Sequence, residues 1–332
     1  MELRAFGRTG LKLGILGFGC GNVGGIMIRG APADQERAVA RAIEAGVNYF
    51  DTAVQYGNGQ SETNLGRVLK KLKPANAVVG TKVRLKPAEF ARIADAIAQS
   101  LDGSLLRLQM ERVDVFHLHN EITDNGGGET LSAEQVLHEV VPAFDKLRQA
   151  GKIGQLGITA IGDTSALKRV IDAGAFTSAQ AVYNMLNPSS GSALPANYPA
   201  HDYGRLFDHT RKAGVGVVGI RVMAGGALSG SSERHPIASP PPPPIGSAVT
   251  YDGDVKRARR LMPLVQEGFA ADLPEAAVRF AISHRAMGTI LVGMATPLQF
   301  EAALAAVLKG PLPKAALDRL AELQKSFVGE SR

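Results

Sequence analysis

An acid and a phenol five residues apart, Asp51 and Tyr56, are the side chains in this sequence best placed to do chemistry together. They lie in Val47-Asn48-Tyr49-Phe50-Asp51-Thr52-Ala53-Val54-Gln55-Tyr56-Gly57, where residues 49–54 read as a short strand with the phenol just past its end. A phenol works as a general acid if a cation lowers its pKa from about 10, and a carboxylate can hold that cation in place. The pair therefore calls for a lysine and a polar orienting group on neighbouring strands. Lys82 stands near the end of a strand at residues 77–83. Burying its charge unpaired is costly, and Asp51 on the adjacent strand is a ready partner. A salt-bridged lysine at the barrel rim is the plainer reading of Lys82, and Asp51 at a similar height on the adjacent strand tips the balance. His117 and His119 lie two apart on a strand at 113–119, so both face the same side. Strands at 153–159 and 178–184 carry no further histidine, which disfavours a metal. Two readings stay open, a hydrogen-bonded core pair or His119 as a neutral donor to a substrate oxygen, and the company of Asp51, Tyr56 and Lys82 weighs for the second.

These groups need elements that converge. Residues 2–7 and 11–15 read as a hairpin, followed by a buried strand at 15–20 and a helix at 33–45 stopped by Gly46. After strand 49–54 comes a helix starting near Ser61, whose hydroxyl is expected to cap it. Strand 77–83, helix 87–106, strand 113–119, helix 133–150, strand 153–159, helix 165–173 and strand 178–184 follow. An irregular stretch at 185–201 leads to helix 203–213, strand 215–222, and a long loop at 223–250 holding five consecutive prolines, 240–244. Those prolines suit an extended strut. Helices at 254–267 and 274–285, strand 289–293, and helices at 297–308 and 314–327 complete the chain. Eight strand–helix units with no break in composition favour a closed (β/α)8 TIM barrel over an open sheet, one domain across 1–332 with long loops at the catalytic face.

Composition agrees with an α/β protein: 45% hydrophobic, 20% charged, 5% aromatic, no Trp. No apolar run reaches the roughly 20 residues that span a bilayer, and the first residues, MELRAFGRTGLKLG, lack an apolar signal region. With Cys20 alone, no intrachain disulfide forms, and a cytoplasmic setting is expected. The net charge of +6 is scattered, so neither nucleic acid nor membrane is expected as a partner. The run Lys256-Arg257-Ala258-Arg259-Arg260 reads as a solvated helix face. Gly19-Cys20-Gly21-Asn22-Val23-Gly24 matches a dinucleotide-binding spacing, yet Gly30 and Pro32 postpone the next helix to residue 33, too late for its amides to meet a pyrophosphate. These glycines read instead as a tight loop over a barrel mouth.

In a barrel the ends of the strands carrying Asp51, Tyr56, Lys82 and His119 meet at one face. At this point the chain resembles the aldo-keto reductases. The resemblance runs from Phe6-Gly7-Arg8-Thr9-Gly10-Leu11 through Gly46 to Ala53, Tyr56-Gly57, Ser61-Glu62, Leu65-Gly66, Thr81-Lys82, Asp114 and Leu118-His119-Asn120, to Gly157-Ile158-Thr159 and Gln180 to Asn184. It implies a catalytic tetrad of Asp51, Tyr56, Lys82 and His119. Tyr56 would protonate a carbonyl oxygen as hydride arrives from a nicotinamide, with Lys82 lowering its pKa, Asp51 holding Lys82 and His119 orienting the carbonyl. It also implies NADPH/NADP+ as cofactor, on residues Gly21, Asn22, Thr159, Gln180, Arg221, Met223, Gly225, Gly226, Leu228, Gly293, Thr296 and Gln299.

The cofactor side departs from the family pattern. Ala160 replaces an asparagine that would hold the carboxamide, leaving Thr159 and shifting weight to Gln180. Arg221 stands where an aromatic ring often stacks on the nicotinamide, and a guanidinium suits the reduced ring better than the cationic oxidised one. Gly293 and Gln299 stand where basic residues would take the 2′-phosphate, which opens the site to NADH, with Thr296 and Gln299 as adenosine contacts. The expected activity is reduction of small aldehydes or ketones. Oxidation of a sugar or alcohol uses the same tetrad, and a nucleotide-binding regulatory module is the non-enzymatic alternative. Tyr198, His201 and Tyr203 are candidate pocket residues; substrate and oligomeric state are not encoded legibly.

Overall fold

A computed structural model describes residues 1–331. Eight parallel strands close a barrel: Leu16–Gly19, Tyr49–Asp51, Val78–Val83, Val113–Leu118, Ile153–Ala160, Ser178–Val182, Gly216–Ile220 and Met287–Gly293, the last pairing back onto the first. Helices surround it, including Pro32–Glu44, Gln60–Leu72, Ile93–Leu108, Thr164–Asp172, Leu273–Ser283 and Pro297–Leu308. No helix among the described residues is long and apolar enough to cross a membrane.

Two cores follow from strand alternation. Phe18, Phe50, Val79 and Phe116 face outward and pack under the helices. Tyr49, Val78, Val115 and Val218 face inward, and the hairpin Leu3–Ala5/Lys12–Gly14 plugs the bottom of the barrel with Phe6 and Leu13. A Cβ on Gly216 or Gly288 would stand 2.6 or 2.7 Å from the Phe6 ring, so bare backbone at both places lets the plug enter. Burying such a ring stabilises the fold by about 1.5–3 kcal/mol.

Several elements differ from their sequence reading. The second strand ends at Asp51, and the seventh ends at Ile220 because Arg221 turns left-handed, with φ 55°. Helix 133–150 breaks into Ala133–Gln135, a wider π turn at Val136–Val140, and Val141–Gln149; Pro142, which has no N–H for the ladder, stands at the join. Pro263 likewise starts a new helix, Pro263–Gln266, after Tyr251–Arg259. Helix 87–106 begins as a 3-10 turn over Pro87–Arg92, and helix 203–213 begins only at Leu206. Ser61 does not cap its helix, whose N-cap is Gly59; instead its hydroxyl donates to the Cys20 carbonyl at 2.9 Å. The basic run is not wholly a solvated face, since Arg257 is buried and donates to the Pro199 carbonyl at 3.0 Å. Tyr198 and Tyr203 are buried in loop packing, Tyr198 Oη donating to Leu186 O at 3.1 Å and the Tyr203 ring lying 4.5 Å from that of His201.

Candidate active site

Asp51 closes the second strand with its carboxylate inside the barrel, 3% exposed. Its Oδ2 accepts from Lys82 Nζ at 2.6 Å, and its Oδ1 accepts from Gln180 Nε2 and from Tyr49 Oη at 3.3 Å. Lys82, fully buried, completes its ammonium with the Thr52 carbonyl at 2.8 Å and the Tyr56 oxygen at 3.2 Å. A tight turn lifts Tyr56 over this pair: Tyr56 N donates to Ala53 O at 3.1 Å and Gly59 N to Val54 O at 2.7 Å. His119 follows the fourth strand, anchored by its own N–H on Val83 O at 2.8 Å. Its ring meets Tyr56 edge-on, 6.1 Å between centroids at 89°.

The electrostatics follow from burial and charge. Burial opposes the charge on Lys82, but Asp51 and then Tyr56 outweigh it, and the ammonium is held above its ordinary pKa. Burial pushes the Tyr56 phenol up; Lys82 pulls it back without cancelling the rise, so the phenol keeps its proton at neutral pH. Burial, then Lys82, then Arg84 bring His119 down to about 3, so its ring is neutral. The two histidines separate: His117 is fully buried with Nε2 on Ser178 Oγ at 2.9 Å, and His119 stands at the mouth. The cluster thus holds a proton on a phenol, a cation beneath it and a neutral imidazole beside it, the parts needed to protonate an oxygen that gains charge.

The aldo/keto reductase family model matches residues 15–325. The chain belongs to that family. It is 30% identical to the L-galactose dehydrogenase of Arabidopsis thaliana, covering 92% of this chain and 88% of the relative. It is 25% identical to the pyridoxal 4-dehydrogenase of Microbacterium luteolum, covering 90% of each. A solved aldo-keto reductase from Bacillus halodurans in its holo form superposes with a TM-score of 0.71 at 25% identity, covering 97% of this chain and 96% of that one. Like these relatives, the chain is an oxidoreductase.

The residues expected on the cofactor side of this aldo/keto reductase divide into two groups. Gly21 lies against the Tyr56 ring, a Cβ there meeting it at 3.7 Å. Thr159 has a fully buried hydroxyl that no group partners among the described residues. Asn22 clamps the Tyr56 segment, accepting from Gly57 N at 3.1 Å. Met223, Gly225, Gly226 and Leu228 form a turn in which Ala224, Gly225 and Gly226 are all left-handed, at φ 48°, 71° and 109°. A non-glycine residue in this region costs roughly 1–2 kcal/mol, and Arg221 and Ala224 both carry that strain where the seventh strand opens onto the mouth. Others are otherwise engaged. Gln180 is turned down to Asp51, because the buried carboxylate needs the donor. Thr296 caps the helix Pro297–Leu308, accepting from Gln299 N at 3.2 Å, and Gln299 Oε1 accepts from Ala295 N at 2.6 Å. Gly293 is exposed at the end of the eighth strand.

Three contributors escaped the sequence reading. Tyr49 sits two residues before Asp51 on one strand, and that spacing alone puts both on the same face. The Gln55 side-chain amide lies 3.4 Å from His119 Nδ1. Arg234 ties the 223–250 loop across the mouth, donating to Val23 O at 3.1 Å, Gly225 O at 2.8 Å and Ser239 O at 2.7 Å; nothing local announces a contact so distant in sequence.

Proposed function

We propose that this chain reduces small aldehydes or ketones to alcohols with NAD(P)H, and that Tyr56 is the proton donor. One observation carries the reading: a protonated phenol 3.2 Å from the ammonium of a fully buried lysine that is itself held by Asp51. The residues present fit a nicotinamide dinucleotide. The unpartnered Thr159 hydroxyl suits the carboxamide, and the left-handed turn at 224–226 suits a backbone wrap around the phosphates. When bound, that cofactor supplies a hydride, and the phenol supplies the matching proton, so carbonyl becomes alcohol with charge balanced. Lys82 stabilises the phenolate that remains, Asp51 keeps Lys82 in place, and neutral His119 orients the carbonyl oxygen through a ring N–H. A proton donor so placed contributes roughly 10²–10⁴-fold in rate.

Oxidation of a sugar or alcohol is the second reading, favoured by relatives named as dehydrogenases of L-galactose, pyridoxal and, at 29% identity over half of this chain, D-threo-aldose. Stopped-flow mixing separates the readings. Enzyme loaded with NADPH or NADH is mixed with small aldehydes, and enzyme loaded with the oxidised forms with aldoses. Fast multiple turnover of the aldehydes supports reduction; turnover confined to the aldoses favours the second reading. Negligible turnover in both directions would leave only a nucleotide-binding module.

A further inference from the structure

Arg221 is a cation at the mouth that makes no salt bridge among the described residues. Its neighbours Val217 and Val218 pack in the outer and inner cores respectively, so strand alternation alone would send residue 221 outward among the helices. The left-handed turn at Arg221 breaks that alternation. The turn is held in place: the Arg221 carbonyl accepts from Asn184 Nδ2 at 2.9 Å and from Ala224 N at 2.7 Å. The redirected guanidinium stands over the left-handed turn that follows, where a Cβ on Gly225 would come within 3.1 Å of it. Its side chain donates to the Pro243 carbonyl at 3.3 Å, under the proline run, and among the described residues no carboxylate pairs with it. The Asp254 carboxylate makes its hydrogen bonds to Ser247 Oγ at 2.6 Å and Ala248 N at 3.0 Å and none to Arg221. Lys82, the cation beneath Tyr56, is by contrast held in an ion pair with Asp51 at 2.6 Å.

We infer that Arg221 makes the site discriminate between the oxidation states of the cofactor, holding the neutral reduced nicotinamide more tightly than the cationic oxidised one and so biasing the enzyme toward carbonyl reduction. This rests on the proposed nicotinamide reading and extends it to the direction of the reaction, which Tyr56 and Lys82 serve equally well both ways. The two forms share their phosphates and sugars and differ by one positive charge on the ring that must reach the atom Tyr56 protonates. A fixed, half-buried cation at the same barrel mouth repels one form and not the other, and low local dielectric magnifies the difference.

Equilibrium titration tests this without turnover. Wild type, Arg221→Met and Arg221→Lys are titrated with NADH, NAD+, NADPH, NADP+ and ADP-ribose, which lacks the nicotinamide. Wild type is expected to bind the reduced forms at least about tenfold more tightly than the oxidised ones. Arg221→Met should bring that ratio close to one, mainly by tightening the oxidised forms, with ADP-ribose unchanged, and Arg221→Lys should keep most of the ratio. A uniform loss for every ligand, ADP-ribose included, would make Arg221 a phosphate anchor and overturn the inference, as would a ratio unaltered in Arg221→Met. Should wild type bind none of the dinucleotides, the cofactor reading itself fails, a result distinct from either.

Discussion

Replacing Lys82 by Met removes the cation that both Asp51 and Tyr56 lean on, and its consequences separate stability from chemistry. At the 3.2 Å between Nζ and Tyr56 Oη, an ammonium and a phenolate attract by about 5 kcal/mol at an effective dielectric near 20. Asp51 offsets part of this, so the phenol pKa should climb by a further ~1–3 pH units when the ammonium is lost. The weaker acid should lower kcat by roughly 10²–10⁴-fold, and in the reductive direction, where Tyr56 must begin protonated, the basic limb of the pH–rate profile should move up by the same interval. Folding suffers separately. Asp51 keeps only Gln180 and Tyr49 as partners, and breaking a buried ion pair costs about 3–5 kcal/mol. Asp51→Asn added to Lys82→Met removes the stranded charge, so most of the stability should return while the activity does not. The assays are the urea midpoint and the pH profile of NAD(P)H oxidation for both variants. A double variant that folds like wild type and also turns over like it would refute the reasoning.

Three other outcomes are expected. His119 falls from an unfolded value near 6.5 to about 3, so the unfolded chain binds the extra proton between those values and stability drops as pH falls through that window. Between pH 8 and 5, wild type should lose about 2 kcal/mol more than His119→Gln in chemical denaturation. With no basic residue at Gly293 or Gln299, NADPH and NADH should differ in Kd by less than about tenfold, read by fluorescence titration; a much larger NADPH preference would reveal a phosphate anchor elsewhere. Glu62 is fully buried and accepts from Arg107 Nε at 2.7 Å and Thr81 Oγ1 at 2.6 Å, so Glu62→Leu should lower the unfolding free energy, read by chemical denaturation, by about 3–5 kcal/mol while leaving the kcat of folded protein close to wild type.

The barrel was legible because eight apolar strands alternate with amphipathic helices, and the Asp51–Lys82–Tyr56 contacts because each group ends or follows a strand that must reach the same face. Element ends were less legible where a single residue decides them: Pro142 and Pro263 interrupt helices whose apolar period continues past them. On the cofactor side, Thr296-Pro297-Leu298-Gln299 also carries a Thr-x-x-Gln helix-capping spacing, and Thr296 caps the helix that follows. The resemblance marks Gln180 but not the direction of its amide, which follows from the acceptors that Asp51 presents. The left-handed turn of Arg221 and the tie from Arg234 to Val23 depend on contacts made across the barrel mouth, which no local pattern records.

The most direct measurement is single-turnover hydride transfer by Tyr56→Phe, with cofactor affinity titrated on the same preparation. The phenol oxygen contributes its proton and the contact with Lys82 at 3.2 Å, and the ring packs unchanged without it. A fall of roughly 10²–10⁴-fold in the transfer rate with unaltered Kd for NAD(P)H is expected. Transfer at the wild-type rate would contradict Tyr56 as the proton donor.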